Sequence, residues 1–337
     1  SVVLESAEFI INKAQDVSIP AEGIEQLAKI LVAEHSHGAF SLANWTKQPL
    51  NPKPSEVGEE KALAWIVVVD TLNFCFWHYD PNAYFAIDYR GSTHRGYMSL
   101  CALINRAIDE GVPILDPSYL KNLTEDQANH IFRSDTKTEI QQLAKRREVL
   151  VELGTVMVEK FGGKWETLVS SANQDASKLV ELVVNNFTSY DDKCMFEGRE
   201  VFFRKRAQIL VADIWACFEN KGIGHFNNTI DAITMFADYR VPQSLAFFGA
   251  IKYSDQLIET LKTNPYIQPG SRLECEIRAA SIWSVELVRR RALELFPSAP
   301  IGPFNAIVID FYLWDYAKAS SAKMDHIPIH KPITHFY

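Results

Sequence analysis

Basic stretches are short and few in this sequence, and that scarcity limits its partners. The formal net charge is −8 over 337 residues. A protein that grips duplex nucleic acid neutralises phosphates with a basic balance or a basic stripe. Here the longest basic clusters, Lys145-Arg146-Arg147 and Arg289-Arg290-Arg291, sit in helical patterns, where a solvated helix face accounts for them. Long-duplex binding is disfavoured and no stable nucleic-acid partner is expected, whereas a small anionic substrate fits. Cysteine is scarce too: Cys75, Cys101, Cys194, Cys217 and Cys275 are odd in number, scattered, and never spaced as CxxC. Neither a disulfide framework nor a zinc site is supported, and most of these thiols lie in apolar surroundings, where they serve as small hydrophobes. No apolar run approaches a membrane span, so no membrane partner is expected. The opening SVVLESAEFIINKAQDVS carries Glu5 and Glu8 and lacks the basic-then-apolar order of a secretory leader. The cytoplasm is therefore the expected compartment, and the N-x-S/T triplets at Asn44, Asn122, Asn186 and Asn227 read as chance matches.

Strand signals are few, and helical periodicity dominates. Leu143, Leu150, Leu153, Met157 and Phe161 recur at helical spacing before Gly162-Gly163 stops the run. Leu210, Ile214, Cys217 and Phe218 form a second stripe, and Ile277, Val285, Val288, Ala292 and Leu295 a third. Ser99 to Gly111 reads as a short helix. Tyr84 to Tyr97 has two aromatic-rich arms around Gly91-Ser92 and reads as a hairpin, and Met195 to Phe203 as another. The β-branched run AWIVVVD, Ala64 to Asp70, fits a buried strand or a buried helix, with helix favoured by its neighbours. The fold class is mostly α with one or two small β-hairpins. Residues 1–337 are expected to form a single globular unit, or two helical lobes around a central cleft; Pro49 to Pro54 and Pro297 to Pro303 are the best loop candidates.

What the sequence does have is acid among aromatics. Three stretches stand out: DTLNFCFW (Asp70 to Trp77), TMFADYR (Thr234 to Arg240) and DFYLWDY (Asp310 to Tyr316). Aromatic rings stack on a flat heterocycle. A carboxylate accepts from its N–H groups or stabilises positive charge, and apolar walls strengthen that electrostatic contact by excluding water. The competing explanation is an aromatic helix that buries one face and keeps its acids in water.

At these residues the sequence resembles a known family. TMFADYRVPQ, DTLNFCFW, RSDT (Arg133 to Thr136), RKRAQILVADIW (Arg204 to Trp215), IKYSD (Ile251 to Asp255) and DFYLWDY are similar to motifs of the queuosine salvage protein family, the queuosine 5′-phosphate N-glycosylases. The resemblance runs in order from the N-terminal helices to Phe336-Tyr337. It implies a largely helical architecture like that of helix-hairpin-helix DNA glycosylases, with a catalytic Asp in a central cleft. It implies release of queuine from queuosine 5′-monophosphate, with ribose 5-phosphate left behind. By the FADYR motif, it puts the catalytic carboxylate at Asp238. A metal-free reaction without a cofactor is expected.

The chemistry of such a substrate suits the clusters. Queuine offers ring N–H and exocyclic NH₂ donors that one carboxylate accepts together, and an amine that is cationic at neutral pH. Cleavage passes through an oxocarbenium-like sugar, by analogy with glycoside hydrolysis, which a carboxylate beneath the anomeric carbon stabilises electrostatically or as a nucleophile. Phe236 is a candidate base or sugar contact. Asp310 and Asp315 are candidates for the edge and the amine of the base; five apart on a helix, they share a face poorly. Trp314 and Tyr316 are candidate stacking rings. Lys205 and Arg206, read as lying just ahead of a helix from Ala207, are candidates for the 5′-phosphate, with Arg240 and Lys252 competing for that task.

Weaker signals carry less. Gly222-Ile223-Gly224 precedes Asp238 at a distance suggestive of a helix-hairpin-helix, although a helix C-cap explains it equally. His326, His330 and His335 cluster by sequence, but Pro328 and Pro332 break any single helical face, so no metal site is expected. His35 and His37 are read as surface-loop residues, with an acid or base reaching the cleft as the alternative. Two rival functions remain: a DNA or RNA base glycosylase acting on flipped bases, and a non-catalytic queuine- or nucleotide-binding protein.

Overall fold

The computed structural model describes residues 1–337, and helices make up most of it. The helices that matter to the site are α1 (Val2–Ile11), α2 (Ala21–His35), α3 (Ala43–Lys47), α4 (Glu59–Thr71), α5 (Gly96–Asp109), α6 (Leu143–Phe161), α7 (Ala176–Asn186), α8 (Lys205–Cys217), α9 (Val241–Phe247), α10 (Arg272–Leu295) and α11 (Ala306–Ala319). Shorter helical turns fill the connections. None is long and apolar enough to cross a membrane. Three two-stranded antiparallel pairs complete the chain. β1 (Val17–Ser18) pairs with β6 (Lys252–Tyr253), β2 (Ile87–Tyr89) with β3 (Ser92–His94), and β4 (Lys193–Phe196) with β5 (Arg199–Phe202). The two expected hairpins form, the first with shorter arms than its aromatic run suggested and the second over Lys193–Phe202, starting two residues ahead of the expected Met195. The third pair, between segments far apart in the chain, has no local sequence signature.

The run AWIVVVD is helical. Every residue of α4 from Ala62 to Thr71 is buried, Asp70 included. A helix buried on all sides shows no amphipathic stripe, which is why periodicity left this segment open. α8 is its close neighbour and is likewise buried over most of its surface. Around this central pair, α10 packs against α1, α2, α9 and α11. One contact there requires glycine: a Cβ on Gly23 would lie 1.7 Å from the Gly249 carbonyl oxygen, so only a bare backbone lets α2 cross the loop after α9.

One basic cluster departs from its expected exposure. Arg146 is fully buried, not part of a solvated face. Its guanidinium donates to the carbonyls of Leu72 (2.8 Å), Cys75 (3.0 Å) and Gln141 (2.8 Å), and also to Phe74. The chain leaving α4 is irregular there, with Cys75 at φ 52° and no ladder partner, so its carbonyls need donors, and a buried arginine fan supplies them. Arg289, Arg290 and Arg291 do stay near the surface, paired with Glu286, Glu25 and Glu294. All five cysteines are free. Two of them nevertheless touch: the Sγ atoms of Cys194 on β4 and Cys275 on α10 are 3.1 Å apart.

Candidate active site

A large cleft opens between α3, α5, α8, α11 and the loop before α9, with about 1170 Å³ of empty space when the open solvent at its mouth is included. Aromatic rings form a large part of the wall, among them Phe40, Phe76, Tyr97, Phe236, Phe311 and Trp314.

α8 supplies one side. Lys205, Ile209 and Asp213 recur every four residues, so they share one helix face and line the cleft. Lys205 is the first residue of the helix, not a residue ahead of it. Arg206, roughly 100° further round, points the other way. Its guanidinium donates to the carbonyls of Thr71 (2.7 Å) and Ser189 and lies over the Tyr190 ring, 4.4 Å from the centroid. Arg206 is thus an internal strut, and the expectation that it holds a phosphate is corrected.

The loop before α9 supplies Phe236, Asp238 and Tyr239. Asp238 is buried, and its Oδ1 accepts the backbone N–H groups of Arg240 and Val241, each at 3.0 Å. This pins the carboxylate at the start of α9. The preceding peptide is held from behind: Arg278 on α10 donates from Nε to the Ala237 carbonyl (2.9 Å) and forms a two-pronged pair with Asp192, at 2.8 and 2.7 Å. Asp192 Oδ2 also accepts the backbone N–H of Lys205 at 3.0 Å. One buried ion pair therefore ties the origin of α8 to the loop bearing Asp238.

α11 supplies Asp310, Phe311, Trp314 and Asp315. Asp310 is deep, and its Oδ2 accepts the Phe236 N–H at 2.9 Å. Asp315 lines the same cleft from its exposed rim. Trp314 meets the Tyr97 ring edge to face at 6.0 Å. Tyr316 does not reach the cleft. It packs on Phe248 at 4.8 Å, so its expected stacking role is corrected. Arg240, half-buried beside the Tyr239 ring and 5.5 Å from its centroid, and Lys252, exposed on β6, are not among the residues that line the cleft.

Several lining residues escaped sequence reasoning. Trp45 on α3 donates from Nε1 to Asp213 Oδ1 at 3.0 Å. Asn73, Tyr97, Tyr239 and Asp213 also line the cleft. For Asp213, the i, i+4, i+8 step from Lys205 was an available signal. The histidines lie elsewhere. His35 packs on Phe296, His330 sits 3.1 Å from the Tyr337 hydroxyl, and His326 is exposed. No group of three His, Cys, Asp or Glu side chains converges to hold a metal ion.

Four carboxyls, Asp70, Asp213, Asp238 and Asp310, surround one ammonium, that of Lys205. Burial raises all four above the usual carboxylate range. For Asp238 the rise is opposed by the Lys205 charge and then by the N–H groups of Val241 and Arg240. Asp310 is pushed well up by burial and next by the Asp238 charge. Burial lowers Lys205, while Asp238, first among its neighbours, pulls it back up. The site thus sets four carboxyls, each disfavoured as an anion by burial, around one cation in a water-poor cleft.

Comparison with known proteins adds to this geometry. A model of the family described as queuosine salvage protein matches residues 50–337. The chain belongs to the queuosine salvage protein family. A Bos taurus relative named "Queuosine 5'-phosphate N-glycosylase/hydrolase" is 43% identical over 97% of this chain and 96% of its own length. A Mus musculus protein of that name is 41% identical over 99% and 98%, and one from Schizosaccharomyces pombe 36% identical over 96% and 93%. In this chain, the FADYR and DFYLWDY motifs meet through the Asp310 bond to the Phe236 N–H, and DTLNFCFW reaches the same cleft through Asn73 and Phe76.

Proposed function

We propose that this chain hydrolyses the N-glycosidic bond of queuosine 5′-monophosphate, releasing queuine for reuse in tRNA modification and leaving ribose 5-phosphate. The observation that carries the reading is Asp238, a buried carboxylate facing Lys205 in an aromatic cleft, in a chain 43% identical to a relative named for this activity. Asp238 stabilises the positive charge that develops at the anomeric carbon. A fixed counter-charge of this kind is worth roughly 3 kcal/mol, on the order of a hundredfold in rate. Phe236 and Trp314 flank the base, Asp310 faces its N–H edge from depth, and Asp315 meets the cationic amine at the rim.

Lys205 is committed to the carboxylates around it and is a poor choice for the phosphate. Arg240 is the better one. Its neighbour Lys331 is half-buried, and its ammonium is held down by burial and by the Arg240 charge, a cationic pair that an anion would relieve. The architecture is proposed to be that of the helix-hairpin-helix DNA glycosylases, one unit around a central cleft. Supporting this, a tight turn at Gly222–Gly224 follows the end of α8 at Cys217, and Asp238 lies further on, in the loop before α9.

The test is incubation with queuosine 5′-monophosphate, queuosine and guanosine 5′-monophosphate, followed by chromatography for free base. Release from the first and not the last is expected. Asp238→Asn should lose at least about a hundredfold in kcat while still binding queuine. Tight binding without release by the unaltered protein would leave the non-catalytic binding protein as the reading.

A further inference from the structure

A queuine leaving group is a 7-deazapurine, so it has no N7 to take the proton that eases departure of ordinary purines. Resting on the glycosidase reading above, we propose that Asp70 and Asp213 share one proton and that Asp213, the member facing the cleft, delivers it to the departing base.

The geometry leaves little choice about the shared proton. Asp70, at the end of α4, is completely buried, and Asp213 on α8 is nearly so. Their carboxyl groups are within hydrogen-bonding reach of each other. Asp213 Oδ1 is occupied by the Trp45 indole N–H. Asp70 Oδ1 takes only a long contact, 3.4 Å, from the Asn73 amide, and Asp70 Oδ2 is buried with no other hydrogen-bond partner. Two ionised carboxylates in contact, without a donor between them, would repel in a dry site. A proton between them satisfies the orphaned oxygen and removes one charge. The lone ammonium nearby, Lys205, is shared among Asp238, Asp70, Asp213 and Asp310, so one cation faces four carboxyls.

Asp70 is a positioning residue, sealed from the cleft. Asp213 lines it, on the same helix face as Lys205. As the C1′–N bond breaks, its electron pair moves to the base, and the proton held by Asp213 moves to an acceptor atom of the pyrimidine half. Water adds to C1′ and releases a proton, which returns to the pair by way of Asp238. One water is consumed and the protein ends as it began.

The groups facing this pair are Lys205, Arg206 and Cys217 from α8, Tyr97 and Cys101 from α5, Tyr190 from the turn after α7, Trp45 from α3 and Asp310 from α11. The pair must hold its proton, so activity falls as pH rises through its upper ionisation. Asp238 must be ionised, so activity also falls as pH drops through its own.

Two measurements test the idea. In ligand-free protein at neutral pH, infrared difference spectra between the unaltered chain and Asp70→Asn or Asp213→Asn should each lose one protonated-carboxyl C=O band that shifts in D₂O. Titrating the unaltered chain alone should remove that band at alkaline pH, which keeps the test independent of variant folding. In steady state, Asp213→Asn should lower kcat by about 10²–10⁴-fold, leave KM little changed, and abolish the alkaline limb of the pH profile. Asp70→Asn gives Asp213 an amide donor, leaves it ionised, and should cost a similar factor. The proposal is overturned if no band is lost, or if Asp213→Asn keeps both kcat and the alkaline limb. It is also overturned if Asp310→Asn alone removes that limb. If no nucleotide releases base while the band is present, the glycosidase reading fails and the shared proton stands.

Discussion

Asp310 illustrates how a buried acid trades stability for a poised site. Its carboxyl is well above the usual range because burial and the Asp238 anion both disfavour its charge. In the unfolded chain an Asp ionises near 3.9. The folded state therefore holds its proton more tightly, and the stability this contributes, greatest in acid, is lost as pH rises through the folded pKa. Asp310→Asn keeps an acceptor for the Phe236 N–H and removes the titration. Its Tm should match that of the parent in acid and exceed it increasingly toward alkaline pH, as followed by thermal melts across pH, while catalysis suffers. Arg240 permits a kinetic check: Arg240→Ala should raise KM for the monophosphate about tenfold or more, the loss of one charge-assisted contact, and erase its advantage over the unphosphorylated nucleoside. At this scale the sequence was legible where a motif names a residue, as with Asp238, Asp310 and Phe236. It failed where adjacent residues compete, because Lys205 and Arg206 look alike as letters and only the helix phase separates them. Arg146 was opaque for another reason: a buried arginine bonded to carbonyls leaves no trace in a charge triplet.

At the level of elements, the Asp192–Arg278 pair is what relates α8 to the Asp238 loop. Removing one member of a buried pair strands the other. Arg278→Met should cost about 3–5 kcal/mol, measured by urea unfolding, and Asp192→Asn added to it should recover part of that loss. If the pair also sets the spacing of the site, kcat should drop in the double variant even where stability returns. Amphipathic helices such as α6 and α10 could be placed from their stripes alone. α4 could not, since burial on every side erases the stripe. The β1–β6 pair could not either, because its partners are joined only by the tertiary fold.

For the whole molecule, the acidic balance that argued against duplex binding fits a cleft that must hold one small anion and a cationic base. The cleft draws on residues from Ala39 to Tyr337, so no stretch of sequence contains it, and its members became visible only once the chain was folded. The touching thiols of Cys194 and Cys275 bear on the same interdependence. Peroxide converts one thiol to a sulfenic acid, which condenses with the other, losing water, to a cross-link. That cross-link would staple the β4–β5 hairpin to the helix that carries Arg278. Preparations aged without reductant should therefore split into two species of different gel mobility, merging again on thiol treatment and absent from Cys194→Ser.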